Sequence, residues 1–297
     1  MKKQYLYASI SIILWSTTAT ISKLLLGSLN SMQILFSSSF FAFIFLLIVN
    51  LVKRNLKKLK TFKIKDYIQM FFIGLLGTFL YNLFLYLGIN KMQASQAFII
   101  NYLWPIMTVL FACIILKEKM TIRKIIAIIL SFVGVIIVTA NGDILNIEKN
   151  SIMGALYCIL AAVSYGLFSV LNKKKNYDKY VSTMIYYFFS FLISLLDMLI
   201  FKEWYIPQTN QLLGLFWVGF FTSAIAFTSW ALALEKGDTA KISNLAYITP
   251  FLSLIWTAII LKEKIGIYSI IGLTIIVLGI FIQLKDRYIS KNKQSKN

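Results

Sequence analysis

The chain has 297 residues, 59% of them hydrophobic, with a mean hydropathy of +0.77 and a formal net charge of +19. Soluble domains carry roughly 45–50% apolar residues, so a soluble fold is excluded. The basic residues sit between apolar stretches rather than on a foldable soluble face, which excludes nucleic acid as the partner.

Ten apolar stretches follow one another: Tyr5–Leu26, Met32–Val52, Tyr67–Leu87, Ala94–Leu116, Ile122–Ala140, Ser151–Leu171, Tyr180–Phe201, Leu212–Leu234, Lys241–Leu261 and Ile267–Leu284. Each is close to the ~20 residues a helix needs to cross ~30 Å of hydrocarbon. They predict an all-α membrane protein of ten transmembrane helices. The first is longer than the ~7–15-residue core of a cleaved signal peptide and completes a repeat, so it is read as a retained helix. Cys113 and Cys158 fall inside separate spans, as small apolar packing residues with no disulfide implied.

Charge orients the spans. With the N-terminus in the cytoplasm, only Lys23, Lys91, Lys149, Lys202, Lys262 and Lys264 of the 30 Lys and Arg fall on the opposite face. The positive-inside rule then places both termini in the cytoplasm, including the basic tail 285–297. The longest internal hydrophilic segment, Lys53–Asp66, becomes an inner loop whose basic run is explained by orientation without a lipid-binding role.

A pattern occurs twice. Asn101-Tyr-Leu-Trp-Pro105 leads to Ile114-Ile-Leu-Lys-Glu-Lys119, and Ala246-Tyr-Ile-Thr-Pro250 leads to Ile259-Ile-Leu-Lys-Glu-Lys264. The register is 145 residues without a gap from Gly74 and Gly219 to Gly134 and Gly279, while Trp15 and Lys23 match Tyr165 and Lys173 at a shift of 150. The halves are 1–140 and 151–284, joined by the polar turn Asn141–Asn150. Five spans per half forces opposite orientations in the membrane. A proline in mid-span of each fourth helix marks a transporter built of inverted repeats.

These features resemble the drug/metabolite transporter superfamily, EamA type: inverted five-helix halves and a proline-containing fourth helix leading to Leu-Lys-Glu. The likeness covers essentially the whole chain. Leu14-Trp-Ser-Thr17, Asn101-Tyr-Leu-Trp-Pro105 with Thr108-Val-Leu-Phe-Ala112, and Tyr247-Ile-Thr-Pro-Phe-Leu-Ser253 are also similar to the bacterial aromatic amino-acid exporter branch. That likeness implies a secondary transporter of the bacterial plasma membrane exporting amino acids, aromatic ones first. Another solute (an organic cation, nucleoside or sugar) and import stay open.

Candidate site residues come from the broken helices. Pro105 removes the partner of the Asn101 carbonyl and Pro250 that of Ala246, predicting hinges at mid-membrane. Polar and small residues keep one face there: Ala94, Ala97, Asn101, Pro105, Thr108 and Ala112, and in the second half Thr239, Ala246, Pro250, Ser253 and Thr257. Such a face serves close helix packing as well as a cavity. At the same depth Trp15, Tyr81, Asn82, Asn101, Tyr102, Trp104, Tyr165, Trp230, Asn244 and Tyr247 are the candidate substrate contacts, amides to orient polar groups and rings to cover a flat or cationic one. With 24 Phe, 16 Tyr and 6 Trp, most rings must serve lipid or core instead. Trp204 and Tyr205 read as interface anchors.

Asp197, the acid clearly inside a span, sits one turn from the outer end and is expected to reach water, as are Lys23 and Lys173. Glu118 and Glu263 are expected to pair with lysines or to favour the next helix N-terminus. Without histidine there is no Ser-His-Asp set, and no dedicated proton relay is visible. Uniport or substrate exchange is the simpler expectation, with proton antiport through Asp197 or a substrate carboxylate left open. No metal cluster or phosphate loop is visible, so neither an enzyme, a metal, a cofactor nor a nucleotide-driven pump is expected. The partners are a small-molecule substrate and the lipid bilayer; one duplicated chain is sufficient, and a dimer is left open. A non-transporting membrane protein would instead close the face around Asn101 by packing.

Overall fold

The computed structural model describes residues 3–175, 177–236 and 245–294, and every regular element among them is helical. Eight helical stretches are long and apolar enough to cross a membrane: α1 (Lys3–Leu26), α2 (Ser31–Val52), α3 (Ile64–Lys91), α4 (Ala94–Ile115), α5 (Ile122–Ala140), α6 (Lys149–Lys174), α7 (Lys179–Phe201) and α8 (Thr209–Trp230). Two shorter apolar helices follow, α9 (Ile248–Ile260) and α10 (Ile267–Ile282). The beginning of the predicted stretch Lys241–Leu261 lies outside the described residues.

Local chemistry sets the ends. Asn30 and Gln33 exchange side-chain and backbone hydrogen bonds at 2.9 and 3.0 Å, a reciprocal cap that starts α2. Asp178 accepts from the N–H groups of Tyr180 and Val181 to start α7. After α4 and after α9 the chain reverses through a left-handed lysine, Lys117 at φ 56° and Lys262 at φ 55°. These are the same repeat position. In both, the following glutamate N–H returns to a carbonyl inside the preceding helix, that of Ala112 or Thr257, at 3.3 Å.

The packing repeats the duplication. α2 packs on α7 and α5 on α10, each on its own counterpart, while α3 on α6 is matched by α8 on α1, and α4 on α6 by α9 on α1. Exchanging halves therefore returns the same contacts, as a two-fold pseudo-axis requires. Equivalent glycines make the close approaches: a Cβ on Gly74 would sit 2.9 Å from the Tyr186 Cα, and one on Gly219 2.5 Å from the Ser38 carbonyl. Outside, the large apolar side chains Ile48, Phe72, Ile129, Ile136, Leu199 and Ile259 are exposed. Such an apolar belt is placed stably only in lipid.

The interruptions bring the site together. α4 breaks between Asn101 and Trp104, and the chain turns at 246–247 before α9, so both expected proline breaks occur. Three others were not foreseen. α1 breaks at Thr17, where the Ser16 and Thr17 hydroxyls each donate back to a carbonyl three residues earlier at 2.7 Å. α3 and α8 each widen into a π-helical turn, Leu75–Leu80 and Trp217–Ile225. The amides of Tyr81 and Ala226 reach back five residues, to Leu76 and Phe221. Such turns advance the helix face by one residue and recur at functional sites.

Candidate solute site

The five interruptions surround one cavity. Its walls are Trp15 and Thr18 at the α1 break, Tyr81 and Asn82 after the π turn of α3, Phe98, Asn101, Tyr102 and Trp104 around the α4 break, Tyr165 of α6, Val218, Thr222, Ser223 and Phe227 of α8, and Thr249 of α9. About 570 Å³ is free of protein atoms, mouth included, but only about 50 Å³ admits the centre of a water molecule. That is room for a few waters. A solute fits only if the rings part.

Rings form most of the wall. Tyr165 is the centre, 4.7 Å from Tyr81, 5.2 Å from Trp104 and 6.2 Å from Phe227, mostly edge to face. Trp15 closes the other side, 5.4 Å from Phe227, and its indole N–H donates to the Thr222 carbonyl at 3.1 Å. That carbonyl lies within the π turn, where helical hydrogen bonding is altered and a side-chain donor compensates.

The polar groups are neutral. Asn101 Nδ2 donates to the Tyr81 hydroxyl at 3.2 Å, while its Oδ1 is buried with no hydrogen-bond partner. A buried, unmatched acceptor is unfavourable by about 1–3 kcal/mol, and a ligand donor relieves that penalty. Asn82 Nδ2 donates to the Thr78 carbonyl of its own helix at 2.7 Å. The Tyr102 hydroxyl donates 2.8 Å to the carbonyl of Ala246, the one that Pro250 frees. One helix break thus satisfies the other across the repeat. Among the described residues no charged side chain lines the cavity.

Seven of the ten residues singled out in the sequence meet here: Trp15, Tyr81, Asn82, Asn101, Tyr102, Trp104 and Tyr165. Trp230 stands behind the wall, 5.4 Å from Trp15, and Tyr247 turns away to Phe281 at 5.7 Å. Asn244 lies outside the described residues, as does Thr239. Pro105 and Pro250 are buried beside the cavity and shape it through the breaks. Sequence reasoning missed Thr18, Phe98, Val218, Thr222, Ser223, Phe227 and Thr249. Thr222 and Ser223 carried a usable signal, because the 145-residue register matches them to Gly77 and Thr78 beside Tyr81.

The charged groups lie elsewhere. Asp197 is half-buried in α7, away from the cavity. Lys173 is exposed, but Lys23 turns inward, its Nζ donating to the carbonyls of Ile89 and Met92 at 2.6 and 2.9 Å. Glu118 pairs with Lys124 at 3.6 Å. Glu263 reaches back to α4 rather than to the helix that follows it. Beyond the spans, Asp178 pairs with Lys58 at 2.6 Å. Burial pushes its carboxyl up, but the hydrogen bonds from Lys58 and the two capping amides outweigh burial and hold it below its ordinary value.

Fold and site define a class: a multi-pass membrane protein of two repeats, with broken helices around a neutral central cavity. The chain belongs to the EamA-like transporter family, whose profile matches residues 2–140 and 152–284. It is 27% identical over 306 residues to an uncharacterized transporter of Clostridium kluyveri, covering 100% of this chain and 96% of that one. It is 25% identical to the uncharacterized transporter YyaM of Bacillus subtilis, over 73% of this chain and 72% of that one. A crystal structure at 20% identity superposes with a TM-score of 0.67, covering 94% of this chain and 96% of the other, and shares its fold. The protein is a transporter.

Proposed function

We propose that the chain is a ten-span alternating-access carrier of the bacterial plasma membrane, both termini cytoplasmic, which exports amino acids, aromatic ones first. Asn101 carries the reading: it lines a ring-walled cavity, and its buried Oδ1 has no hydrogen-bond partner and asks for a donor such as a substrate ammonium or N–H. Tyr81, Trp104, Tyr165 and Trp15 would cover the substrate's flat side chain, edge to face. An ammonium beside rings gains cation–π attraction, and a zwitterion brings its own counter-charge. A lone cation would find no carboxylate among the described lining residues. The two halves would rock about Pro105 and Pro250, exposing the site to each side in turn.

Counterflow in proteoliposomes tests this: unlabelled phenylalanine, tryptophan or threonine is loaded inside and uptake of each labelled amino acid is followed. Accumulation favouring the aromatic substrates supports the proposal. No accumulation of any of the three, from folded protein, discards the substrate class and turns the screen to amines, nucleosides and sugars.

A further inference from the structure

The α3–α4 corner is held at both of its helix ends by charges from elsewhere in the chain. Glu263 follows α9, yet its two carboxylate oxygens accept from the backbone N–H groups of Ala94 and Ser95 at 2.8 and 3.0 Å. A carboxylate there meets the unsatisfied amides and positive end of a helix. Lys23 of α1 holds the other side, donating to the carbonyls of Ile89, in the last turn of α3, and of Met92 just beyond it. Glu263 and Lys23 also attract each other. Acid and base thus clasp the corner.

The clasped segment has water-sized space at both ends. Gln93 and Gln96, at its start, border a polar recess of about 370 Å³ that also touches Lys91, Asn141 and Glu148. Phe98 and Asn101, at its end, line the solute cavity. The first half of α4, Ala94–Asn101, borders both spaces, and all eight of its residues are buried. At ~1.5 Å per residue it is about 12 Å long. Beyond it the helix breaks at Tyr102 and Leu103. A short rigid piece with a break at one end and a charged clasp at the other is a plug on a hinge.

We propose that Ala94–Asn101 is the plug between the outer recess and the solute cavity, and that Glu263, seconded by Lys23, is its latch. Glu263 is a positioning residue that touches no substrate. The proposal rests on the transport reading for its purpose.

The test is side-specific labelling. Thr18→Cys, in a Cys113→Ser, Cys158→Ala background, places a thiol in the cavity wall, and a membrane-impermeant charged thiol reagent is applied to vesicles of either orientation. Two changes weaken the latch. Glu263→Gln removes the charge and one acceptor oxygen. Ala94→Pro removes one donor N–H at the first helical position, where proline is tolerated. Gln93 already has the extended backbone, φ −61° and ψ 140°, that a following proline requires. Labelling from the outer face should rise at least about tenfold in both variants and not rise from the inner face. Parent rates from the outer face in both variants overturn the latch, as does an equal rise from both faces, which reports lost packing. Labelling needs no substrate. A one-sided rise with silent counterflow upholds the latch and counts against the transport proposal instead.

Discussion

Tyr102→Phe isolates the bond that joins the two broken helices. The tyrosine is 3% exposed and its hydroxyl donates 2.8 Å to Ala246, a carbonyl deprived of its helical partner by Pro250. Ala246 keeps a second donor, the N–H of Thr249 at 3.0 Å, so the loss is that of one net hydrogen bond and leaves no orphaned carbonyl. That is about 1 kcal/mol, near the middle of the range for neutral pairs. For a chain of this size it predicts a fall in melting temperature of roughly 2 °C in detergent. Tyr205→Phe is the control, losing its hydroxyl's hydrogen bonds to the Gln33 carbonyl at 3.1 Å and with the Ser37 hydroxyl, far from the breaks. Its melting shift should be at least as large as that of Tyr102→Phe, whereas counterflow should change only in Tyr102→Phe, because only there does the bond link the two broken helices. Equal counterflow in both variants would refute the idea that the breaks are coupled through this hydroxyl.

Asn101→Ala and Trp104→Ala should each abolish counterflow while keeping a monodisperse, folded protein, and unchanged flux in both would remove them from the site. Asp197→Asn should leave flux intact across pH, since the carboxylate is half-buried in α7 and lines no part of the cavity; a lost pH dependence would make it a coupling residue. Gly77→Ala should lower stability by about 1–3 kcal/mol through overpacking, because the new Cβ would fall 2.2 Å from the buried Phe168 ring, and a melting curve reads it directly. Asp178→Asn keeps a helix cap but loses the Lys58 ion pair, worth under about 1 kcal/mol in so exposed a place. The folded carboxyl is held below its ordinary value, so its stabilisation is present at neutral pH and disappears as pH falls through that lowered value. The melting difference between variant and parent should therefore close towards acid, and a difference that widens would reverse the sign of the argument.

What could be read in the sequence follows from how directly each feature depends on residue type. The apolar stretches and the proline breaks were legible because burial in lipid and a missing N–H are properties of single residues. The rings around Asn101 were legible through the repeat, which fixes depth: Trp15 and Tyr165 occupy matching positions, and both line the cavity. Depth does not fix direction, however. Tyr247 matches Tyr102 in register but faces Phe281, since rotation about a broken helix depends on packing partners that no local pattern records. The π turns in α3 and α8 escaped for a related reason: they carry no obligatory residue and shift a helical face by one position. Phe227 enters the cavity just after such a turn.

The duplication also separates what is fixed from what must change during transport. Features shared by the halves include the π turns, the left-handed lysines at 117 and 262 and the α5–α10 seam. A cycle that exchanges the roles of the halves leaves these alone. Other features occur in one half alone. α1 is broken at Thr17 while its counterpart α6 runs unbroken from Lys149 to Lys174, and Lys23 turns into the corner while Lys173 is exposed. If the halves trade states, α1 should straighten and α6 should break near Gly166 and Leu167, the positions that match Ser16 and Thr17. Gly166 suits that role, being a weak helix former pressed within 2.6 Å of Met107 where a Cβ would project. Gly166→Ala would put that Cβ 2.6 Å from the Met107 Cβ and 2.8 Å from the Thr108 amide nitrogen, so it should strain the α4–α6 contact of the conformation seen here even though alanine favours an unbroken helix. The melting temperature should fall and labelling of a cavity thiol should change from that of the parent, whereas a parent-like melting curve and labelling pattern would show that this contact yields without cost.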